Sequence, residues 1–136
     1  MAEAYSQLEA GYEFPPGNYK LDAYRVSLFL KAVDDTSHLY QDNRLVPPMA
    51  VAALAMATLS KTISLPPGAI HVSQELSFVK AVSLDDSLTS YARLSRTQKR
   101  GKLHLITVDL NVRNQNQQTV LTSRTSFILS QPDDEQ

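Results

Sequence analysis

Two segments in the first half of the chain carry the hydrophobic pattern of helices. The first follows Asp22, a residue type that caps helix N-termini. Its apolar residues recur at i, i+3, i+4 and i+7, at Val26, Phe29, Leu30 and Val33. A second helix is predicted from Pro47 to about Ile63, because proline stands in its first turn and alanine is frequent within it. This segment has almost no polar face, so other elements must cover most of its surface.

After Pro66-Pro67-Gly68 the pattern changes to an alternation of apolar and polar residues, which is typical of strands. The alternation predicts four strands, at about 70–78, 87–97, 102–113 and 119–129. Turn-forming residues separate the four strands at Asp85-Asp86, at Arg100-Gly101 and from Asn114 to Gln117. Long strands with short connections indicate an antiparallel meander that is buried on one face.

The economical packing of an apolar helix and a long antiparallel sheet is one in which the sheet curls around the helix. We therefore predict an α+β protein with a single hotdog fold, an antiparallel sheet wrapped around a central alanine-rich helix, over residues 1–130. An acidic, disordered tail is predicted over 131–136. Such a sheet has exposed edges and leaves part of the helix uncovered, so pairing with a second chain into a double hotdog is expected. Function is then expected at the seam between the two chains.

Composition and charge exclude several classes of function. The 136 residues suit one domain, and 13 basic against 14 acidic side chains give a net charge of −1, which disfavours a nucleic-acid partner. The chain has no cysteine, and its histidines lack metal-ligand spacing, so neither a metal nor a cofactor is predicted. The acidic N-terminus and the lack of an apolar segment of membrane-spanning length predict a soluble, cytoplasmic protein without a membrane partner.

A polar stretch from Asp34 to Arg44 is predicted to be a loop of about eleven residues, and loops of that length are often functional. Within it, Asp35 and His38 form an Asp-x-x-His pair that would suit general acid-base chemistry, while loop packing is the commoner use of such a histidine. Tyr40 is expected to pack with its hydroxyl hydrogen-bonded. These three residues are the catalytic candidates.

Three stretches of the sequence follow a known family pattern. They are AVDDTSHLYQD (Ala32 to Asp42), LVPPMAVAALA (Leu45 to Ala55) and the strand region that begins FVKAVSLDDSLTSYARL (Phe78 to Leu94). The chain resembles MaoC-like hydratase and dehydratase domains of the hotdog superfamily over about Tyr19 to Leu129. The resemblance implies binding of acyl thioesters of coenzyme A or acyl carrier protein, and reversible addition of water to a 2-enoyl double bond.

In active members of that family, a loop Asp-x-Asn-Pro-x-His activates the water, and a helix start Ala-His-Gly-Met offers a backbone N–H to the thioester oxygen. The resemblance places Asp35 on the Asp, Tyr40 on the His, and Pro47, Pro48 and Met49 on the His-Gly-Met. A phenol is a poorer base than an imidazole at neutral pH. Pro48 has no N–H, and that of Met49 would replace it only in part. These departures resemble the non-catalytic halves of double-hotdog or two-subunit hydratases.

The resemblance therefore predicts an acyl-thioester-binding protein that serves as the non-catalytic subunit of a heteromeric enoyl-CoA hydratase or 3-hydroxyacyl dehydratase. Its expected partner is a catalytic hotdog chain or a second copy. Two alternatives stay open, namely a stand-alone homodimeric hydratase with an altered Asp and His or Tyr dyad, and a non-enzymatic module that binds a hydrophobic ligand. A thioesterase is disfavoured because 46–63 contains no Asp or Glu. The predicted substrate-binding residues are Val46, Pro47, Pro48, Met49, Arg93 and Arg96.

Arg93 and Arg96 belong to a basic hairpin between the second and third predicted strands. The hairpin would suit the phosphates of coenzyme A or an acidic carrier protein. The alternative is a solvated tip whose charges discourage edge pairing. His104, close to the start of the third strand, is expected at the rim of the sheet.

Overall fold

The structure is a computed structural model and describes residues 3–4, 9–42 and 44–130. The tail predicted over 131–136 lies outside the described residues. Three helices are described, α1 (Ala23–Ala32), α2 (His38–Asp42) and α3 (Pro48–Thr62). The described strands, in chain order, are β1 (Glu3–Ala4), β2 (Gly17–Lys20), β3 (Ile63–Ser64), β4 (Ile70–Phe78), β5 (Ser87–Arg100), β6 (Leu103–Arg113) and β7 (Thr119–Ser130).

Both predicted helices are present and begin where the sequence indicates. The Asp22 carboxylate accepts the N–H of Arg25 at 2.8 Å, so it caps α1 as predicted. Pro47 occupies the N-cap position of α3, and Pro48 opens the helix. The side of α3 that faces the sheet is made of small and aliphatic residues, Ala50, Val51, Ala52, Ala55 and Leu59.

The predicted eleven-residue loop is wrong in part, because its second half contains α2. The Asp35 carboxylate accepts the N–H of Ser37 at 2.9 Å, and the Ser37 hydroxyl accepts the N–H of Leu39 at 3.2 Å. These side chains form a turn that leads into the helix. A helix of five residues is too short to show a hydrophobic period, so the pattern alone could not reveal it.

The main sheet has five strands in the order β2-β5-β6-β7-β4, and all neighbouring pairs are antiparallel. The meander from β5 to β7 is confirmed, but the prediction that β4 belongs to the same meander is wrong. β4 pairs with β7, and β2, a strand that the sequence pattern did not predict, pairs with the free side of β5. Alternation shows that a strand has a buried face, but it does not show which neighbour the strand pairs with.

The sheet packs against α3 through two groups of buried side chains. One surrounds the start of the helix and includes Val51, Leu88 and Leu121. The other surrounds its end and includes Leu59 and Ile106. The contact is close, since a Cβ at Gly17 of β2 would collide with the Thr58 methyl group of α3. The predicted wrapping of the sheet around the alanine-rich helix is therefore observed.

The prediction that His104 lies at the rim of the sheet is wrong, because only 2% of its surface is exposed. Its Nε2 shares a hydrogen bond with the Thr97 hydroxyl of β5. The residue does lie near the start of β6, but β5 extends to Arg100 and covers it, with Lys99 directly opposite in the register. A longer hairpin than predicted thus places the imidazole in the interior.

One edge of the sheet and one side of α3 remain uncovered by the described residues. β4 forms the end of the sheet, and its residues Ile70, Val72 and Phe78 are 59%, 45% and 47% exposed. On α3, Ala53 and Ala57 are exposed. We expected other elements to cover most of this helix, but the described residues bury the side that faces the sheet and leave Ala53 and Ala57 exposed. Within the described segments, every helix is too short or too polar to cross a membrane.

Candidate functional site

An apolar groove of about 310 Å³ opens beside the start of α3. Its walls come from α2, from the residues that lead into α3, from the end of β4 with the segment 79–82, and from the start of β7. The volume is at the lower end of the range of about 300–1,000 Å³ that small-molecule sites occupy. The lining residues are Leu39, Tyr40, Leu45, Val46, Pro48, Val51, Phe78, Val79, Lys80, Ala81, Val82, Val120 and Leu121.

Backbone pairing connects two of the segments that border the groove. The N–H of Val46 donates to the carbonyl of Val82 at 2.8 Å, and the N–H of Leu84 donates to the carbonyl of Arg44 at 2.8 Å. The side chains of Arg44 and Asp85 add an ion pair of 2.8 Å, which is solvent-exposed and therefore weak. This short ladder ties the segment before α3 to the loop before β5, and so positions Pro48 on the groove wall.

The start of α3 carries a reduced set of backbone donors. The carbonyl of Pro47 accepts the N–H of Ala50 at 2.9 Å and that of Val51 at 3.4 Å. Pro48, the first helical residue, has no N–H, and the N-cap residue Pro47 provides no side-chain hydrogen bond. Met49 thus carries the first N–H of the helix, at its electropositive end. Any oxyanion at this helix start would meet one donor fewer than a non-proline sequence provides.

The groove brings together three of the residues that the sequence analysis singled out. Tyr40, Val46 and Pro48 line it. Pro47 is buried, Met49 is 52% exposed, and neither is among the lining residues. The assignment of these residues to substrate binding stays a prediction.

Asp35 and His38 lie on the path into α2 and are not among the residues that line the groove. The Asp35 carboxylate is engaged by the N–H of Ser37, and His38 is an exposed residue at the start of α2. The structure therefore does not assemble Asp35, His38 and Tyr40 around one point of the groove. Their catalytic assignment also stays a prediction.

Arg93 and Arg96 lie on the outer face of the sheet, away from the groove. Arg96 donates to the side-chain oxygen of Gln98 at 2.6 Å. In the register, Arg96 of β5 stands opposite Thr107 of β6, and Thr107 stands opposite Ser126 of β7. Ser126 is five residues along β7 from Leu121, which lines the groove. At about 3.3 Å per residue this corresponds to about 17 Å along the strand. A single chain therefore does not bring the two arginines to the groove.

Arg93 instead belongs to a row of charges across the outer face. It stands opposite Asp109, which forms an ion pair of 2.9 Å with Arg124. The hydrogen bond from Arg124 is the main reason that the pKa of Asp109 lies below its ordinary value, and the charge of Arg93 contributes to that shift. Opposite charges in register on neighbouring strands stabilise the pairing of those strands.

Sequence reasoning missed the segment 79–82 and the start of β7, which form one whole wall of the groove. The segment 79–82 lies in the stretch Phe78 to Leu94 that carries the family resemblance, but none of its residues was assigned to the site, and it lies between two strands that are not neighbours in the sheet. Lys80 in particular lines the groove although the sequence analysis did not select it. No group of His, Asp or Glu that would hold a metal ion occurs among the described residues.

Comparison with known proteins supports the predicted fold. Residues 9–123 match the family model described as the FAS1-like dehydratase domain region. The chain is 21% identical to the (R)-hydratase PhaJ1 from Pseudomonas aeruginosa, with a TM-score of 0.79 over 94% of this chain and 86% of that chain. It is 18% identical to a MaoC-like dehydratase from Rhodospirillum rubrum, with a TM-score of 0.80 over 95% and 97% of the two chains.

A chain of the ChsH1–ChsH2 complex from Mycobacterium tuberculosis is 18% identical to this sequence, with a TM-score of 0.72 over 91% of this chain and 98% of that chain. No curated protein matches the sequence. The structural similarities confirm the predicted hotdog fold.

Proposed function

The chain belongs to the FAS1-like dehydratase domain family, and its fold is that of MaoC-like hydratases and dehydratases; from this premise we propose that it binds acyl thioesters as the non-catalytic subunit of a heteromeric enoyl-CoA hydratase or 3-hydroxyacyl dehydratase. The observation that carries the proposal is the pairing of Tyr40 and Pro48 on the wall of one apolar groove. The family pattern places a catalytic His and a backbone donor at these two positions.

Tyr40 and Pro48 argue against water addition by this chain alone. A phenol at the position of the imidazole is a weaker general base than the imidazole, so it is poorly suited to take a proton from water. Proline at the first helical position leaves the N–H of Met49 as the first donor toward a developing enolate oxygen. A groove that lacks the imidazole and the N–H of the first helical residue still suits the acyl chain, since its wall is almost entirely apolar.

The uncovered β4 edge supports a partner chain. An edge strand offers unpaired backbone groups, and β4 also exposes apolar side chains on both of its faces. Phe78, the last residue of β4, lines the groove, so a chain that pairs with this edge lies next to the acyl site. A structural neighbour is one chain of the ChsH1–ChsH2 complex, which consists of two different chains. We propose a catalytic hotdog chain as the partner at this edge.

The first test measures binding and turnover of octanoyl-CoA and 2-octenoyl-CoA by the purified chain. We expect the thioesters to raise the melting temperature progressively, with the logarithm of their concentration once it exceeds the dissociation constant, and we expect no loss of the conjugated enoyl absorbance. Val79→Glu, which places a charge at an exposed position of the groove wall, is expected to weaken binding about ten-fold, or about 1.4 kcal/mol.

The matched control for that experiment is Val33→Glu, because Val33 is similarly exposed but does not line the groove. Turnover that disappears in Asp35→Asn would contradict the non-catalytic role and support the stand-alone hydratase. A melting temperature that stays constant up to millimolar thioester would contradict thioester binding altogether.

The second test concerns the β4 edge. Val72→Lys is expected to abolish association with a second chain, because a lysine on an edge strand opposes pairing with another edge. Light scattering after size-exclusion chromatography measures the mass of the particle, with the chain alone and co-expressed with a catalytic hotdog chain from the same genome. Leu103→Lys is the control, since Leu103 is equally exposed but lies in the central strand β6. If Val72→Lys leaves the association intact, the partner binds elsewhere.

A further inference from the structure

Among the side chains described in 9–40 and 44–130, Lys80 is the only charged one that lines the groove. The N–H of Val79 donates to the carbonyl of Val120 at 2.9 Å, and the N–H of Lys80 donates to the same carbonyl at 3.3 Å. These two bonds attach the segment to the start of β7. The base of the lysine side chain is therefore held at a defined place on the groove wall, while the residue itself remains exposed.

Among the side chains described in 9–40 and 44–130, no carboxylate lies within ion-pair distance of the ammonium group of Lys80. The ion pairs of that part of the chain join Arg44 to Asp85 and Arg124 to Asp109. Apart from Lys80, the phenol of Tyr40 is the only polar side-chain group on the described wall of the groove. The wall thus combines a long apolar surface with one cation and one hydroxyl group.

We propose that this groove binds the free carboxylate of a medium-chain fatty acid, with Lys80 as the residue that recognises the charge. The alkyl chain lies along Val46, Val51 and Leu121, and the hydroxyl of Tyr40 offers a further donor to the carboxylate. This inference uses the same groove as the proposed function but goes beyond it, because it names a different ligand and does not require that thioesters bind.

A carboxylate matches the single charge of Lys80 more closely than a thioester carbonyl or a phosphate does. The carbonyl oxygen of a thioester is neutral, so its hydrogen bond from an ammonium group lacks the attraction between opposite charges that a carboxylate adds. A phosphate monoester carries a charge of about −1.5 to −2 at neutral pH, which a single lysine leaves incompletely neutralised. The groove volume of about 310 Å³ is small, which favours a chain of medium length.

The test is isothermal titration of the whole chain with octanoate, 1-octanol, octanoyl-CoA and coenzyme A at pH 8. Octanol has the same chain as octanoate without the charge, so their ratio measures recognition of the carboxylate. We expect octanoate to bind at least ten-fold more tightly than octanol. Lys80→Met keeps an unbranched side chain of similar length, and we expect it to remove that ten-fold preference and to leave octanol binding unchanged. Lys80→Arg is expected to retain it.

Lys61→Met is the matched control, because Lys61 is an exposed lysine near the opposite end of α3 from the groove. It is expected to bind octanoate as the wild type does. The melting temperature of each variant verifies that it is folded.

The other possible results of these titrations test the inference and the proposed function separately. Equal binding of octanoate and octanol, or an unchanged preference in Lys80→Met, would overturn the inference. Binding of coenzyme A alone that is lost in Lys80→Met would show that Lys80 recognises phosphate, and would also overturn it. Octanoyl-CoA binding without octanoate binding would refute the inference and leave the proposed function standing. Octanoate binding without octanoyl-CoA binding would support the inference and refute thioester binding.

Discussion

Ile106→Ala is expected to lower the free energy of unfolding by about 2–5 kcal/mol. Ile106 lies in the central strand β6, has no exposed surface, and belongs to the buried group around the end of α3. Removal of its side chain loses the transfer free energy of the buried carbons and leaves a cavity between the sheet and α3. Since domains of this size are stable by about 5–15 kcal/mol, the loss is a large fraction of the total.

Urea unfolding followed by circular dichroism measures the effect, and an unchanged slope shows that the comparison is valid. Leu103→Ala is the matched control, because Leu103 begins the same strand but is 48% exposed, and we expect a change within about 0.5 kcal/mol. Similar losses for the two variants would mean that Ile106 is not in the interior, and the packing of β6 against α3 would have to be revised.

Acidification below pH 6.5 is expected to destabilise the protein through His104. Burial is the main reason that the pKa of His104 lies below its ordinary value of 6.5, and the positive charge of Lys99 lowers this pKa further. The unfolded chain therefore binds a proton at a pH where the folded chain does not. The stability contribution is complete above about pH 6.5 and is lost as the pH falls toward the folded-state pKa. One proton accounts for at most about 1.4 kcal/mol per pH unit.

His104→Gln removes the titrating group and keeps a polar side chain near the Thr97 hydroxyl. We expect this variant to lose less stability than the wild type between pH 6.5 and 5, as measured by urea unfolding at each pH. Leu105→Ala, a neighbour in the same strand that does not titrate, is expected to lower stability equally at every pH. An unchanged pH dependence in His104→Gln would assign the acid sensitivity to other groups.

The candidate site was accessible to sequence reasoning only in part. Tyr40, Val46 and Pro48 were found because the family pattern marks their positions, and all three line the groove. Lys80 lies in a stretch that carries the family resemblance, but neither Lys80 nor Val120 was assigned to the site, and hydrogen bonds between residues 79–80 and Val120 bring the two segments together on the groove wall. A wall that two distant segments build in this way leaves no local signal in either of them.

The basic hairpin illustrates the opposite case. Its charges are evident in the sequence, and Arg93 and Arg96 were assigned to the substrate for that reason. In the structure, Arg93 stands opposite Asp109, and Arg96 bonds to Gln98 on the outer face. Composition identifies a cluster of charges, but the register of the strands decides which counter-charges they meet.

The sequence by itself determined the two long helices, the four long strands and the wrapping of the sheet around α3. These depend on local periodicity, caps and turns, which act over a few residues and are therefore visible in the chain. The strand order, the burial of His104, the short helix α2 and the far wall of the groove were decided only by the tertiary structure. Pairing between strands is non-local, and the same alternation suits several neighbours, so only the packed molecule selects β7 for β4 and brings Lys80 to the groove.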